Sequence, residues 1–133
     1  MNVKDPCRIG WRKDPVVAGR CEMALIAGEM NLGVYQDSAG RYRWRLWSGL
    51  RLVAISGESF HDRLDAEFAA LCFKVDARDA AFDVLALDDS WYWQARDGGG
   101  RPLAIASRRF DSPFNAKHAA AYVSNHVARA TFS

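Results

Sequence analysis

Residues 32–60 read LGVYQDSAGRYRWRLWSGLRLVAISGESF, and residues 82–110 read FDVLALDDSWYWQARDGGGRPLAIASRRF. Set one above the other, Trp44 falls on Trp93, Ser56 on Ser107 and Phe60 on Phe110, and downstream Ala66 falls on Ala116. The offset drifts only between 49 and 51, and each change falls where a turn is expected. Insertions confined to turns are what related units show. The chain therefore reads as an internal duplication, two β-β-β-α units of about 50 residues built to share one sheet.

Within each unit the hydrophobic period switches from two to 3.6. Tyr42, Trp44 and Leu46 alternate with Arg41, Arg43 and Arg45, the pattern of a half-buried strand. The second unit keeps the phase, with Trp91, Trp93 and Ala95 inward and Tyr92, Gln94 and Arg96 outward. Short turns are expected at Asp37–Gly40 and Asp88–Ser90, then at Gly49 and at Gly98, Gly99 and Gly100. The runs Leu52–Ser56 and Leu103–Ser107 suit well-covered central strands. A helix follows in each unit, capped by Asp62 in the first and by Ser112 ahead of Pro113 in the second. Leu64, Phe68, Leu71, Cys72 and Val75 predict an apolar stripe on the first helix. On the second, Phe114, Ala121 and Tyr122 hold a poorer one, with His118 and Asn125 replacing Phe68 and Val75. That helix is expected to be held less firmly, since less apolar area is buried. Strand parity and hairpin lengths predict an α+β fold, one antiparallel sheet with two helices packed on one face.

Half of the 133 residues are hydrophobic and 26% are charged, ordinary values for a globular protein. One unit alone would have a marginal core, so the two are expected to need each other. The formal net charge is +2, unevenly placed: residues 1–20 carry Lys4, Arg8, Arg12, Lys13 and Arg20 against Asp5 and Asp14. The remainder is close to neutral, so binding to an acidic partner would have to rest on local patches. Residues 1–29 read as a basic, partly flexible extension, with Cys21–Gly28 as a possible edge strand. Residues 30–80 and 81–133 read as the two units, and 30–133 as one structural domain. Cys7, Cys21 and Cys72 are three in number and widely spaced, which favours reduced thiols over a disulfide framework. No stretch has the length of a secretion signal or a membrane span, and a cytoplasmic location is expected.

The stretch VYQDSAGRYRWRLWSGLRLVAISGESF, followed by an Ala-rich helix, resembles the YegP-like family of small bacterial and archaeal proteins. Val34, Tyr35, Asp37, Gly40, Tyr42, Trp44, Leu46, Ala54, Ser56 and Phe60 carry the resemblance in the first unit. Trp93, Ile105, Ser107 and Phe110 carry it more loosely in the second. It implies a tandem, or a dimer, of β3-α-β units in a single sheet with exchanged C-terminal strands. Ala80–Val84 and Thr131–Ser133 would then each close the other unit's edge. It implies no biochemical activity, catalytic residue or cofactor. The chain departs from the pattern in its N-terminal extension and in Asp88-Asp89-Ser90, where a turn glycine is missing.

The feature that most invites a function is the strand RYRWRLW, residues 41–47. Arg41, Arg43, Arg45 and Trp47 are expected on one face, with Arg51 joining them across the turn. Guanidinium groups beside an exposed aromatic suit a protein interface, and they could also grip phosphates and stack a base. Arginines laid along a solvated sheet face are the plainer account, and the second unit has Tyr92, Gln94 and Arg96 there instead. Trp44, Trp93, Tyr42 and Trp91 alternate in phase with the helix side and read as core. His118 and His126 lie eight residues apart without the His-x3-His spacing or third ligand that a metal prefers, and Asp111 does not supply one. His61 has no assignable partner. Ser56 and Ser107 lack a nucleophile elbow and read as strand-ending serines bonded to backbone. Gly98-Gly99-Gly100 sits in a hairpin and opens no helix, so it lacks the logic of a phosphate loop. Glu58, Asp88 and Asp89 form no catalytic pair, and Cys72 reads as core. No catalytic, cofactor or metal site is therefore assigned. The expected role is a non-enzymatic interaction or assembly module with a protein partner, self-association included. Nucleic-acid binding through residues 41–47 and the basic extension is the second reading.

Overall fold

The computed structural model describes residues 29–132. The N-terminal extension, with Cys7, Cys21 and the strand suggested for Cys21–Gly28, lies outside the described residues, as does Ser133. Strands β1 (Met30–Gln36), β2 (Tyr42–Ser48) and β3 (Arg51–Ser56) lead into helix α1 (Arg63–Asp76) and a 3-10 turn, Ala77–Asp79. Strands β4 (Ala81–Leu87), β5 (Ser90–Arg96) and β6 (Pro102–Ala106) lead into helix α2 (Pro113–His126) and a second 3-10 turn, Val127–Arg129. A short strand, β7 (Thr131–Phe132), follows. The β-β-β-α order thus occurs twice, and all seven strands join one sheet in the order β4-β5-β6-β3-β2-β1-β7. Every neighbouring pair is antiparallel except β1 and β7, which run parallel.

The halves meet where β3 pairs with β6, through Ala54 with Ala106, Ile55 with Ile105 and Ser56 with Ala104. At the first unit's outer edge, Asn31 and Leu32 pair with Thr131 and Phe132, and the Thr131 hydroxyl donates to Asn31 Oδ1 at 2.6 Å. The second unit's C-terminal strand therefore closes the first unit's edge, as the resemblance implies. Residues 81–84 instead belong to β4, the second unit's own first strand, paired with β5. No further strand flanks β4 among the described residues.

Local chemistry accounts for the turns. The Asp37 carboxylate accepts from the backbone N–H of Ala39 at 2.9 Å and of Arg41 at 3.0 Å, closing the β1–β2 hairpin. Asp97 does the same for Gly99 and Arg101 in the β5–β6 hairpin, at 2.9 and 3.0 Å. Each loop then needs a left-handed residue, supplied by Gly40 (φ +83°) and Gly100 (φ +85°). The β4–β5 turn has no glycine, and Asp88 itself takes φ +59°, a conformation aspartate tolerates better than most residues.

The core lies between the sheet and the two helices. Trp44, Leu46 and Ala54 of one half and Trp93, Ala95 and Ala104 of the other are all buried there. The expected helix stripes are displaced. On α1, Leu64 (74% exposed), Phe68 (58%) and Leu71 (42%) face outward. The packed row is Ala66, Ala70, Phe73 and the following Ala77. On α2, Phe114 is exposed (73%), and the packed row is Ala116, Ala120, Val123 and Val127. Volume decides this. Trp44 lies stacked against Phe73 with ring centroids 5.1 Å apart, and Trp93 lies against Phe82 at 5.5 Å. With the space over the sheet largely filled by tryptophan, the helices approach mainly through alanines, and Phe73 fits because its ring stacks on Trp44. The expectation of a looser α2 rested on the wrong face. Its true packed row is fully buried, and Ser112 makes the cap bond to the Asn115 N–H at 3.1 Å, which Asp62 does not make on α1.

Cys72, beside Phe73 at the flank of the packed row, is nearly buried and is disulfide-bonded. The expectation of reduced thiols is not met there.

Two substitutions separate the displaced stripe from the expected one. Ala70→Leu overpacks the tryptophan layer and is expected to destabilise by about 1–3 kcal/mol. Leu64→Ala removes an exposed side chain and is expected to stay within about 0.5 kcal/mol of the parent. Urea unfolding of both variants checks the ordering, and the reverse ordering would restore the stripe read from the sequence.

Candidate interaction surface

Both helices cover one face of the sheet, so the opposite face holds the outward residues of β1 to β6. Register fixes its rows. Tyr35 lies opposite Arg43, Gly33 opposite Arg45 and Asn31 opposite Trp47, while Ile55 and Ile105 meet at the centre. Of the five residues expected to form the surface, Arg43, Arg45 and Trp47 share this face, and each is half-buried.

Their guanidinium groups are already engaged. Arg43 Nη1 donates to the Ser56 carbonyl oxygen at 3.1 Å, and its Nε lies 3.5 Å from Asp37 Oδ2. Arg45 stacks between two rings, its guanidinium carbon 4.6 Å from the centre of Tyr35 and 5.6 Å from that of Trp47. Such contacts contribute roughly 0.5–1 kcal/mol at exposed sites. Arg41, just before β2, donates through Nη2 to the Ser59 carbonyl at 3.3 Å. Arg51 does not join them. A register shift after Leu46 pairs Trp47 with Leu52, and Arg51 pairs with Ser48, whose hydroxyl reaches Tyr122 of α2 at 3.4 Å. The bulge thus carries Arg51 to the helix side, where parity alone had set it beside Trp47.

The rest of the open face is close to charge-balanced. Asp83 pairs with Arg96, whose Nε donates at 2.9 Å, and Arg109 lies 5.9 Å over the Tyr92 ring. The arrangement is a stiff, flat layer of stacked aromatic and arginine groups, with few free cations for phosphates. The Asp37 carboxyl is held below its ordinary value of 3.8, first by the Arg41 backbone N–H, with partial burial opposing and the Ala39 N–H and Arg43 adding.

Elsewhere the sequence candidates stay apart. His118 stacks on Phe114, while His126 Nδ1 lies 2.8 Å from the Tyr122 carbonyl oxygen. Among the described residues, no group of three His, Cys, Asp or Glu side chains is placed to hold a metal ion. The Ser56 hydroxyl donates to the Glu58 carbonyl at 2.7 Å and that of Ser107 to the Leu52 carbonyl at 2.7 Å. In the glycine-rich loop the anion held by backbone N–H groups is the chain's own Asp97. No described helix is long and apolar enough to cross a membrane.

Sequence reasoning missed the surface that exposure reveals, the outward row Leu64, Phe68 and Leu71 on α1. Comparing the units gives the signal. Positions 66 and 70 repeat as alanine at 116 and 120, whereas Leu64, Phe68, Leu71 and Val75 become Phe114, His118, Ala121 and Asn125. The row common to both units is the packed one.

One consequence of the Asp37 cluster is measurable. Because folding lowers this pKa, its contribution to stability is present above the unfolded value and is lost as pH falls through the folded value. Asp37→Asn is expected to lower the denaturation midpoint at pH 7. The gap from the parent should close near pH 2, and a gap of equal size at both pH values would refute the assignment.

No protein-family model matches the chain, and no curated protein matches it. Two solved structures do. A UPF0339 protein from Shewanella oneidensis superposes with a TM-score of 0.64 at 13% identity, over 79% of this chain and 90% of that one. The yegP protein of E. coli, a protein of unknown function, superposes with a TM-score of 0.62 at 15% identity, over 80% of this chain and 91% of that one. The paired β-β-β-α units on a single sheet thus give this chain the fold of the YegP and UPF0339 proteins.

Proposed function

We propose that the protein is a non-enzymatic interaction module that self-associates through helix α1. The observation that carries this reading is a helix with two apolar faces, only one of them packed. Ala66, Ala70 and Phe73 serve the core, while Leu64, Phe68 and Leu71 stand 74%, 58% and 42% exposed. Contiguous apolar surface of this kind marks contact sites in soluble proteins. A second copy suits the row by its flanks. Asp65 borders its N-terminal half, where Glu67 is already paired with Arg63 at 3.4 Å, and Lys74 borders its C-terminal half. Two α1 helices laid antiparallel about a twofold axis bring Asp65 of each copy toward Lys74 of the other. The helix-free sheet face with Arg43, Arg45 and Trp47 is the secondary contact region, its side chains ordered in advance and therefore cheap to bury. Nucleic-acid binding through residues 41–47 has less support, because Arg41, Arg43 and Arg45 are spent on Ser59, Ser56, Asp37 and two aromatic rings.

Sedimentation equilibrium of the full chain over micromolar to submillimolar concentrations tests the proposal. The parent is expected to populate dimers, and Phe68→Glu with Leu71→Glu to shift the dissociation constant by at least about tenfold while the circular dichroism spectrum is kept. A strictly monomeric parent, or dimerisation unaltered in the variant, would overturn it.

A further inference from the structure

Two clefts lie on the helix side of the sheet, at opposite ends of the antiparallel β3–β6 pair, and each is walled by the helix of one unit and a hairpin turn of the other. The first, about 350 Å³, lies between α1 and the β5–β6 turn, over Trp44 and Phe60. The second, about 860 Å³, lies between α2 and the β2–β3 turn, over Trp93 and Phe110. Their aromatic floors correspond, Trp44 with Trp93 and Phe60 with Phe110. Their charges are opposite. Glu58, Asp65, Asp76 and Asp97 line the smaller cleft against a single arginine, Arg101, which pairs with Glu58 at 3.3 Å. Arg51, Arg108 and His118 line the larger, with no carboxylate among its described lining residues.

We infer that the larger cleft is a binding site for a small aromatic anion, a flat ring bearing a phosphate or carboxylate. Three features fit that ligand. Arg51 and Arg108 are exposed, belong to different segments, and form no ion pair among the described residues, unlike Arg43, Arg63, Arg96 and Arg101. Arg108 lies 5.4 Å over one face of the Phe110 ring, which leaves its N–H edge for an anion. Two guanidinium groups converging on one cleft suit a bidentate anion. Tyr122 and Phe110, both half-buried above the buried Trp93, offer ring surface on which a flat group can stack. The volume falls within the range of small-molecule sites, and the walls are apolar with a few convergent polar groups, the composition such sites share. The Ser48 hydroxyl and Tyr122 phenol, hydrogen-bonded to each other at 3.4 Å, leave one hydroxyl proton at the same wall for a ligand. The smaller cleft is a built-in control, with a matching floor and the wrong charge. This site is independent of the α1 contact, since none of its residues lies on that helix.

The test is a titration of the full-length, isotopically labelled protein with phenyl phosphate, followed by amide chemical shifts. Saturable shifts are expected at residues 48–53, 108–110 and 118–123, and not at residues 65–76 and 97–103. Benzyl alcohol, which keeps the ring and lacks the charge, should produce none, and inorganic phosphate should bind at least about tenfold more weakly than phenyl phosphate. Arg51→Gln with Arg108→Gln should weaken phenyl phosphate at least about tenfold, with the sedimentation behaviour of the parent retained. Absence of shifts at millimolar probe, equal shifts in both clefts, equal binding of benzyl alcohol, or unaltered binding by the double variant would each overturn the inference.

Discussion

The pairing of β3 with β6 is the interaction on which everything else rests. It is short, three residue pairs about Ile55 and Ile105, yet it converts two three-stranded sheets into one. Without it each half would rely on a core of about 50 residues, below the size at which a domain stands easily alone. With it, Trp44, Ala54, Ala104 and Trp93 become parts of one continuous cluster. The chain keeps this region lean. On either side of the Ile55–Ile105 pair the paired residues are small, Ala54 with Ala106 and Ser56 with Ala104, and a Cβ added at Gly57 would stand 2.9 Å from the Pro102 backbone. Close approach of the two strands, rather than side-chain bulk, is what the seam requires.

What could be read in advance follows from what each signal reports. Alternation in Tyr42, Trp44 and Leu46 fixes a strand because the pleat repeats every two residues whatever lies beyond it. Asp37, Gly40, Ser112 and Pro113 are local signals whose meaning does not depend on the rest of the fold. The helix faces are different. Leu64, Phe68 and Leu71 form as good a stripe by hydrophobicity as Ala66, Ala70 and Phe73 do by position. Only the presence of Trp44 above β2, filling the space a large helical side chain would claim, decides between them. Likewise the bulge after Leu46 moves Arg51 across the sheet, and nothing local to Trp47 and Ser48 announces it. The surface assembled from residues 41–51 was therefore legible in its central members and not at its end.

The two halves hold one interior and present two exteriors. Buried positions correspond almost residue for residue, while the outward row of α1 and the charges around the clefts do not. A core tolerates little departure once tryptophan sets the spacing between helix and sheet. The surface is free of that restriction, and there the halves have taken separate properties: apolar surface on α1, carboxylates over Trp44 and guanidinium groups over Trp93. A framework of this kind lets one chain present two different surfaces over corresponding cores.

The opposed clefts also shape the protein's behaviour at a distance. A formal charge of +2 suggests a molecule nearly indifferent to electric fields, but among the described residues the carboxylates of one cleft and the guanidinium groups of the other separate charge along the central strands. Such a body tumbles without preference in bulk solution and turns as it nears a charged boundary, offering its cationic end to anionic surfaces and its other end to cationic ones. Orientation on approach is then set before any atom touches, and it weakens over the screening length of the surrounding salt, about 8 Å at physiological ionic strength.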